Sequence, residues 1–102
     1  TMERLKRFPD DPFLVALYAR SALFLGELSE AERYFIKAIS LNKNDIDSII
    51  NLVDIKIKQN KTKEAFEILE KGIKENPNNP FLVSKYQLMK KDLNKKWTSY
   101  QN

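Results

Sequence analysis

The side chains that most often perform catalysis or bind transition metals are missing from this sequence. Its 102 residues include no cysteine and no histidine. Without them the chain cannot form a zinc site of the usual nitrogen and sulfur type, a cysteine–histidine pair or a serine–histidine–aspartate relay. We therefore expect no catalytic residues, no metal site and no bound cofactor, and we do not expect an enzyme.

Paired carboxylates are the remaining candidates for chemistry, and their positions favour a structural role. Asp10 and Asp11 directly precede Pro12, while Glu30 and Glu32 lie at the start of an apolar pattern. Acidic side chains at helix starts are stabilised by the helix dipole and by free backbone N–H groups. We interpret both pairs as helix-start residues rather than as a catalytic pair.

An internal repeat organises the elements that carry these side chains. Residues 77–83 read PNNPFLV and repeat residues 9–15, PDDPFLV, at a distance of 68 positions. Related residues also stand at half that distance, 34 positions apart, in the pairs Ala31 and Ala65, Phe35 and Leu69, Ala38 and Gly72, and Val15 and Ile49. A fixed period of this length indicates a repeat architecture whose units pack against their neighbours.

Each unit contains two stretches with apolar residues at helical spacing, which predicts a helix hairpin. Asp11 with Pro12 is predicted to cap the first helix. Ser29 and Thr62 are predicted to cap the second helices of the two units. Small residues such as Ala31 and Ala65 are predicted to form the contact line between paired helices.

This pattern resembles the tetratricopeptide repeat (TPR) family. The residues that carry the resemblance are Tyr18, Gly26, Ala31, Phe35 and Ala38 in one unit, and Leu52, Ala65, Leu69, Gly72 and Pro77 in the next. The sequence departs from the family pattern at Asn60 and Lys43, which replace a turn glycine and a turn proline. It departs again at Ala22 and Lys56, which stand where the family usually has tyrosine.

The resemblance implies an all-α fold, a right-handed α-solenoid of antiparallel helix hairpins with about two full repeats and a half-unit at each end. We expect residues 1–8 to be the end of a preceding repeat and 12–45 and 46–79 to be the two repeats. Residues 80–102 should form a C-terminal capping helix. Such an array buries its apolar residues along a continuous seam between units.

The resemblance also implies a protein–protein interaction scaffold that holds a peptide or partner protein in a concave groove. That groove is lined by the first helices of successive units. The candidate groove residues are Phe13, Leu17, Arg20, Phe24, Ile50, Asn51, Asp54, Lys58, Phe81, Lys85 and Leu88. One family mode, the clamp for a chaperone C-terminal carboxylate, is matched only by Asn51 and loosely by Lys85, so we do not expect that specificity.

Two pairs of candidate residues can be explained by a structural role as well as by a functional one. Phe13 and Phe81 are either anchors for a bound peptide or packing residues that cover the turn of the preceding unit, and packing is slightly favoured. Asp54 and Lys58 either orient a ligand or form an ion pair along one helix, which is the favoured interpretation.

Two alternative functions come from the charge pattern and from the solenoid ends. Residues 80–102 carry five lysines against one acid, and the rest of the chain is balanced. This basic helix, with Trp97 and Tyr100, is an alternative surface for nucleic acid or an acidic partner, although we favour a buried Trp97 and expect no nucleic acid. Self-association through exposed end faces is the other alternative. The sequence has no apolar run long enough to insert in a membrane.

Overall fold

Six α-helices account for most of the residues that the structure describes. A computed structural model describes the backbone of residues 2–101 and the side chains of residues 3–93, and it contains no strand in that range. The helices are α1 (Met2–Arg7), α2 (Pro12–Phe24), α3 (Leu28–Leu41), α4 (Ile46–Lys58), α5 (Thr62–Glu75) and α6 (Pro80–Gln101). The predicted all-α class is confirmed. Among the described residues, no helix is both long enough and apolar enough to span a membrane.

The helices pack in the order expected of a helical-repeat solenoid. Helix α2 packs on α3 and α4 packs on α5, which gives two hairpins, and α4 also packs on α3. At the ends, α1 packs on α2, and α6 packs on α5 and α4. The chain is elongated, with dimensions of 56 × 30 × 16 Å. Each hairpin thus buries its apolar face against a neighbour.

Small residues form the contact line between the helices of each hairpin, as predicted. Ala31, Ala38 and Ala65 are completely buried. Gly72 is also buried, and a Cβ atom added there would lie only 3.2 Å from Cγ2 of Ile49. Close approach of α5 to α4 therefore depends on the missing side chain at Gly72.

Helix α2 begins with the predicted cap, and α6 begins with an equivalent one. Asp11 Oδ1 accepts hydrogen bonds from the N–H groups of Phe13 and Leu14, at 2.9 and 3.2 Å. Asn79 Oδ1 accepts the corresponding pair of bonds at the start of α6, at 3.0 and 3.2 Å. Both side chains satisfy N–H groups that have no partner within the helix.

The caps predicted for the second helices are wrong. Helix α3 begins at Leu28, which places Ser29 inside its first turn, and α5 begins with Thr62 itself. The preceding turns contain Gly26 and Asn60 with positive φ angles of 79° and 61°. The N-cap positions are instead occupied by Glu27 and Lys61, whose side chains form no capping hydrogen bond, so both hydroxyl groups lie past the capping position.

Candidate functional site

The first helices of the three successive units, α2, α4 and α6, display one row of side chains at equivalent places. Phe13, Asp47 and Phe81 stand 34 residues apart, each near the start of its helix. We define the first-helix face as the surface formed by these three residues and by the side chains in line with them. Phe13 and Phe81 are 68% and 69% exposed, and Asp47 is also exposed. Neither phenylalanine is therefore packed into the core, and the role of both as anchors for a bound peptide stays a prediction.

A cleft of about 360 Å³ separates α2 from α4 on the first-helix face. Phe13, Ala16 and Arg20 line it from α2, and Asp47 lines it from α4. The cleft also includes Pro12, Asn42, Asp45 and Ser48. It brings two predicted residues, Phe13 and Arg20, together with a carboxylate that the sequence analysis missed. The 34-residue step from Phe13 to Asp47 was the available signal.

Two lining residues of this cleft, Asp45 and Ser48, form a local pair of hydrogen bonds at the start of α4. Asp45 Oδ1 accepts from the N–H of Ser48 at 3.1 Å, and its Oδ2 accepts from the Ser48 hydroxyl at 2.7 Å. Ser48 is buried, so its hydroxyl needs such a partner. The carboxylate of Asp45 is thereby occupied in capping α4, whereas that of Asp47 faces solvent.

Asp54 forms its ion pair with Lys85 and not with Lys58, which corrects the predicted pairing. The distance from Lys85 Nζ to Asp54 Oδ1 is 2.6 Å, and the pair joins α4 to α6. The two side chains are 28% and 44% exposed, respectively. The structure therefore brings Asp54 and Lys85 together as a cross-unit contact on the first-helix face, one that neutralises both charges.

The remaining candidates are dispersed along the same helices. Phe24 is 90% exposed and Leu88 is 61% exposed, and Lys58 is exposed as well. Leu17, Ile50 and Asn51 are only partly exposed, and Ile50 packs against the core around Val53 and Leu69. In the part of the chain whose side chains are described, none of these six residues lines the 360 Å³ cleft.

The acid pairs considered for chemistry have structural partners. Asp11 caps α2, and Glu30 forms an ion pair with Arg33 on the same helix. Residues 3–93 contain no group of three or more acidic, cysteine or histidine side chains arranged to hold a metal ion. The side chains of Trp97, Tyr100, Lys95 and Lys96, which entered the alternative interpretation of α6, lie outside the described residues.

A sequence model of the tetratricopeptide repeat matches residues 25–84, which is more than half of the chain. The chain belongs to the tetratricopeptide repeat family. Repeats of this family generally mediate protein–protein interactions, and the fold is typically a scaffold without enzymatic activity. A search of curated proteins gave no match.

One departure of this TPR chain from its family pattern creates an ion cluster that the sequence analysis did not predict. Lys56, in the usual tyrosine position, is only 9% exposed. Its Nζ donates to Glu32 Oε1 of α3 and, at 3.0 Å, to Glu64 Oε2 of α5. Gln59 Nε2 donates to the second Glu32 oxygen at 3.0 Å. The cluster therefore links the second helices of two successive units through α4.

The ion cluster shifts the pKa of each charged member towards its charged form. The hydrogen bonds from Lys56 and Gln59 lower the pKa of Glu32, and the bond from Lys56 lowers the pKa of Glu64. The hydrogen bonds to Glu32 and Glu64 raise the pKa of Lys56. For each group, the hydrogen bonds shift the pKa more than the opposing desolvation penalty of burial does. The cluster is thus fully ionised at neutral pH.

Proposed function

We propose that this TPR chain binds a segment of a partner protein along its first-helix face. The observation that carries the proposal is the exposure of Phe13 and Phe81 at equivalent positions of two units, on either side of Asp47. Large aromatic side chains are mostly buried in folded proteins unless they serve an interface. Two of them at matched positions form a repeated pair of anchors.

The apolar anchors supply the main binding energy in this proposal. Fully burying a phenylalanine side chain contributes about 1.5–3 kcal/mol. Phe13 and Phe81 each keep about two thirds of their surface exposed, so a partner that covers both gains a large part of that amount twice. Phe24 and Leu88, further along α2 and α6, extend the available apolar surface.

Charged groups on the same face favour a peptide over a phosphate backbone. Arg20 and Asp47, which line one cleft, carry opposite charges, and Asp54 and Lys85 neutralise each other. A surface that follows phosphates needs a continuous positive charge. Mixed charges between apolar anchors instead suit a few oriented hydrogen bonds to a peptide.

The test compares two sets of substitutions against peptides selected from a random library on the immobilised chain. We expect the double variant Phe13→Ala and Phe81→Ala to weaken binding of the selected peptides by more than about 2 kcal/mol, measured by titration calorimetry. Its helix content by circular dichroism should be unchanged, because both side chains are exposed.

The matched control is one variant in which four lysines of residues 80–102 are neutralised by replacement with alanine: Lys90, Lys91, Lys95 and Lys96. It should change peptide affinity little. If the lysine variant abolishes binding and the phenylalanine variant does not, the basic helix α6 is the binding surface and the proposal is wrong.

A further inference from the structure

A second, larger cleft lies between the second helices of the two hairpins, α3 and α5. Its volume is about 680 Å³, within the range of roughly 300–1,000 Å³ that is typical of binding sites. Ile49 and Leu52 of α4 form its base, Ile36 and Ile39 line the α3 side, and Ile68 lines the α5 side. We call it the α3–α5 cleft.

This cleft is on the opposite side of α4 from the first-helix face. Ile49, Leu52 and Lys56 line the cleft and lie three and four residues apart, on one side of the helix. Asp47 and Asp54 belong to the first-helix face and point away from that side, since their positions are about half a helical turn from those residues. A partner in the α3–α5 cleft would therefore not compete with one on the first-helix face.

The cleft exposes aliphatic surface along its length. Ile36 is 50% exposed, and Ile39 and Ile68 are only partly buried although they pack against the core. Ile49 and Leu52 at the base are nearly inaccessible. Apolar surface that remains open in a concave site gains free energy when a partner covers it.

The chemistry of the cleft favours a helix as its occupant. Both sides are α-helices, whose backbone N–H and C=O groups bond within the helix, so the cleft presents no strand edge to an extended peptide. A segment placed on the apolar base must satisfy its own backbone groups, and an α-helix does so. Its apolar stripe can then contact the isoleucines.

The two sides of the cleft differ in charge. The α5 side carries Glu64, Glu67 and Glu75 with only Lys71 among them, whereas the α3 side contributes Ile36, Ile39 and Ser40 and no charge. Two further lysines stand at opposite ends of the cleft. Lys43 lies beyond the end of α3, and Lys56 is held by Glu32 and Glu64 in the ion cluster.

We propose that the α3–α5 cleft is a second docking surface, which binds an amphipathic α-helix of a partner protein with basic residues along one flank. The apolar stripe of that helix covers Ile36, Ile39 and Ile68. Its basic flank faces the carboxylates of Glu67 and Glu75 on α5. Because Glu64 is paired with Lys56, the α5 side has an excess of one carboxylate, with Glu67 and Glu75 against Lys71, and this excess sets the orientation of the helix in the cleft.

The experiment uses the full chain and two synthetic helical peptides with the same leucine stripe. One peptide carries lysines on one flank of the stripe, and the other carries glutamates at the same places. Binding is followed by isoleucine methyl resonances in NMR titrations. We expect the lysine peptide to shift the methyl resonances of Ile36, Ile39 and Ile68, and to bind at least tenfold more tightly than the glutamate peptide.

Two single substitutions test the contacts separately. Ile36→Ser should weaken the lysine peptide at least fivefold, and its half-exposed position means that the fold should persist. Glu67→Lys, at an exposed position on α5, should reduce the preference for the lysine peptide at least fivefold without removing the apolar contact. Glu70→Lys, at an exposed position of α5 outside the cleft, serves as the matched control and should leave the affinity of both peptides unchanged.

Several outcomes would overturn the proposal. Equal affinity for the two peptides would refute the charge assignment, and equal affinity for a proline-interrupted version of the lysine peptide would refute the helix. Shifts that are confined to residues of the first-helix face would place the peptide elsewhere. Sedimentation equilibrium that shows a dimer lost in Ile36→Ser would identify a second copy of this chain as the occupant, against the proposal.

Discussion

Replacing Lys56 by methionine should be among the most destabilising single changes at a polar residue in this chain. Methionine keeps an unbranched apolar stem of similar length and removes only the ammonium group. The side chain of Lys56 is 11% exposed, and it pairs with Glu32, which is 20% exposed, and with Glu64. The variant leaves Gln59 as the remaining side-chain donor to the Glu32 carboxylate.

The expected loss follows from the burial of the two principal partners. Removing one partner of a fully buried ion pair costs about 3–5 kcal/mol, whereas an exposed pair contributes about 0–1 kcal/mol. Lys56 and Glu32 are closer to the buried limit, but the cluster borders an open cleft and water screens part of the interaction. We therefore expect Lys56→Met to lower the free energy of unfolding by about 2–3 kcal/mol.

Urea unfolding followed by circular dichroism measures this loss, with Lys58→Met as the matched control. Lys58 lies on the same helix but is exposed, so its replacement should change stability by less than about 0.5 kcal/mol. A double-mutant cycle between Lys56→Met and Glu32→Gln should show a coupling above about 1 kcal/mol. Glu64→Gln should cost less than Glu32→Gln, because the Glu64 side chain is 51% exposed.

Equal effects of Lys56→Met and Lys58→Met would refute this reasoning, since they would show that the cluster adds nothing to a surface lysine. A Glu64→Gln variant that is less stable than Glu32→Gln would refute the ranking by burial. The first result would mean that the family tyrosine position tolerates lysine here through its apolar stem alone.

Three further predictions concern acid stability and the two hairpin turns. Because the pKa of Glu32 is lowered in the folded chain, its contribution to stability is complete above its ordinary pKa of 4.5 and is lost as the pH falls through the lowered value. The free energy of unfolding should therefore decrease as the pH falls below about 4.5. In the Lys56→Met variant this decrease should be smaller. In thermal unfolding, Gly26→Ala should cost about 1–2 kcal/mol, because Gly26 has a φ angle of 79° in open space. Asn60→Gly, at the equivalent turn with a φ angle of 61°, should be neutral or stabilising, and a loss there would contradict the backbone explanation.

The repeat pattern of the sequence determined the hairpins and their contact lines. The 34-residue period placed Ala31 and Ala65 between paired helices, and both are completely buried. Asp11 was predicted as a cap from its position before Pro12, and its bonds reach only two and three residues along the chain. Such features follow from sequence because helical periodicity and capping involve neighbouring residues only.

The candidate site was only partly accessible to the same reasoning. Repetition of Phe13 at Phe81 indicated an equivalent position in two units, but type alone could not distinguish packing from exposure. Asp47 occupies that position in the middle unit and was missed because it is not apolar. The structure shows Phe13 and Asp47 lining one cleft, and that proximity depends on the separation of α2 and α4.

Partners in different units were decided by the tertiary structure alone. From the sequence, Asp54 had a lysine four residues away at Lys58, yet it pairs with Lys85 on α6. Lys56 likewise binds Glu32, 24 positions earlier in the chain, together with Glu64 on the next helix. Periodicity states which side of a helix each residue occupies. The distance between the sides of two different helices depends instead on how closely those helices pack, and that distance selects the partner of each charge.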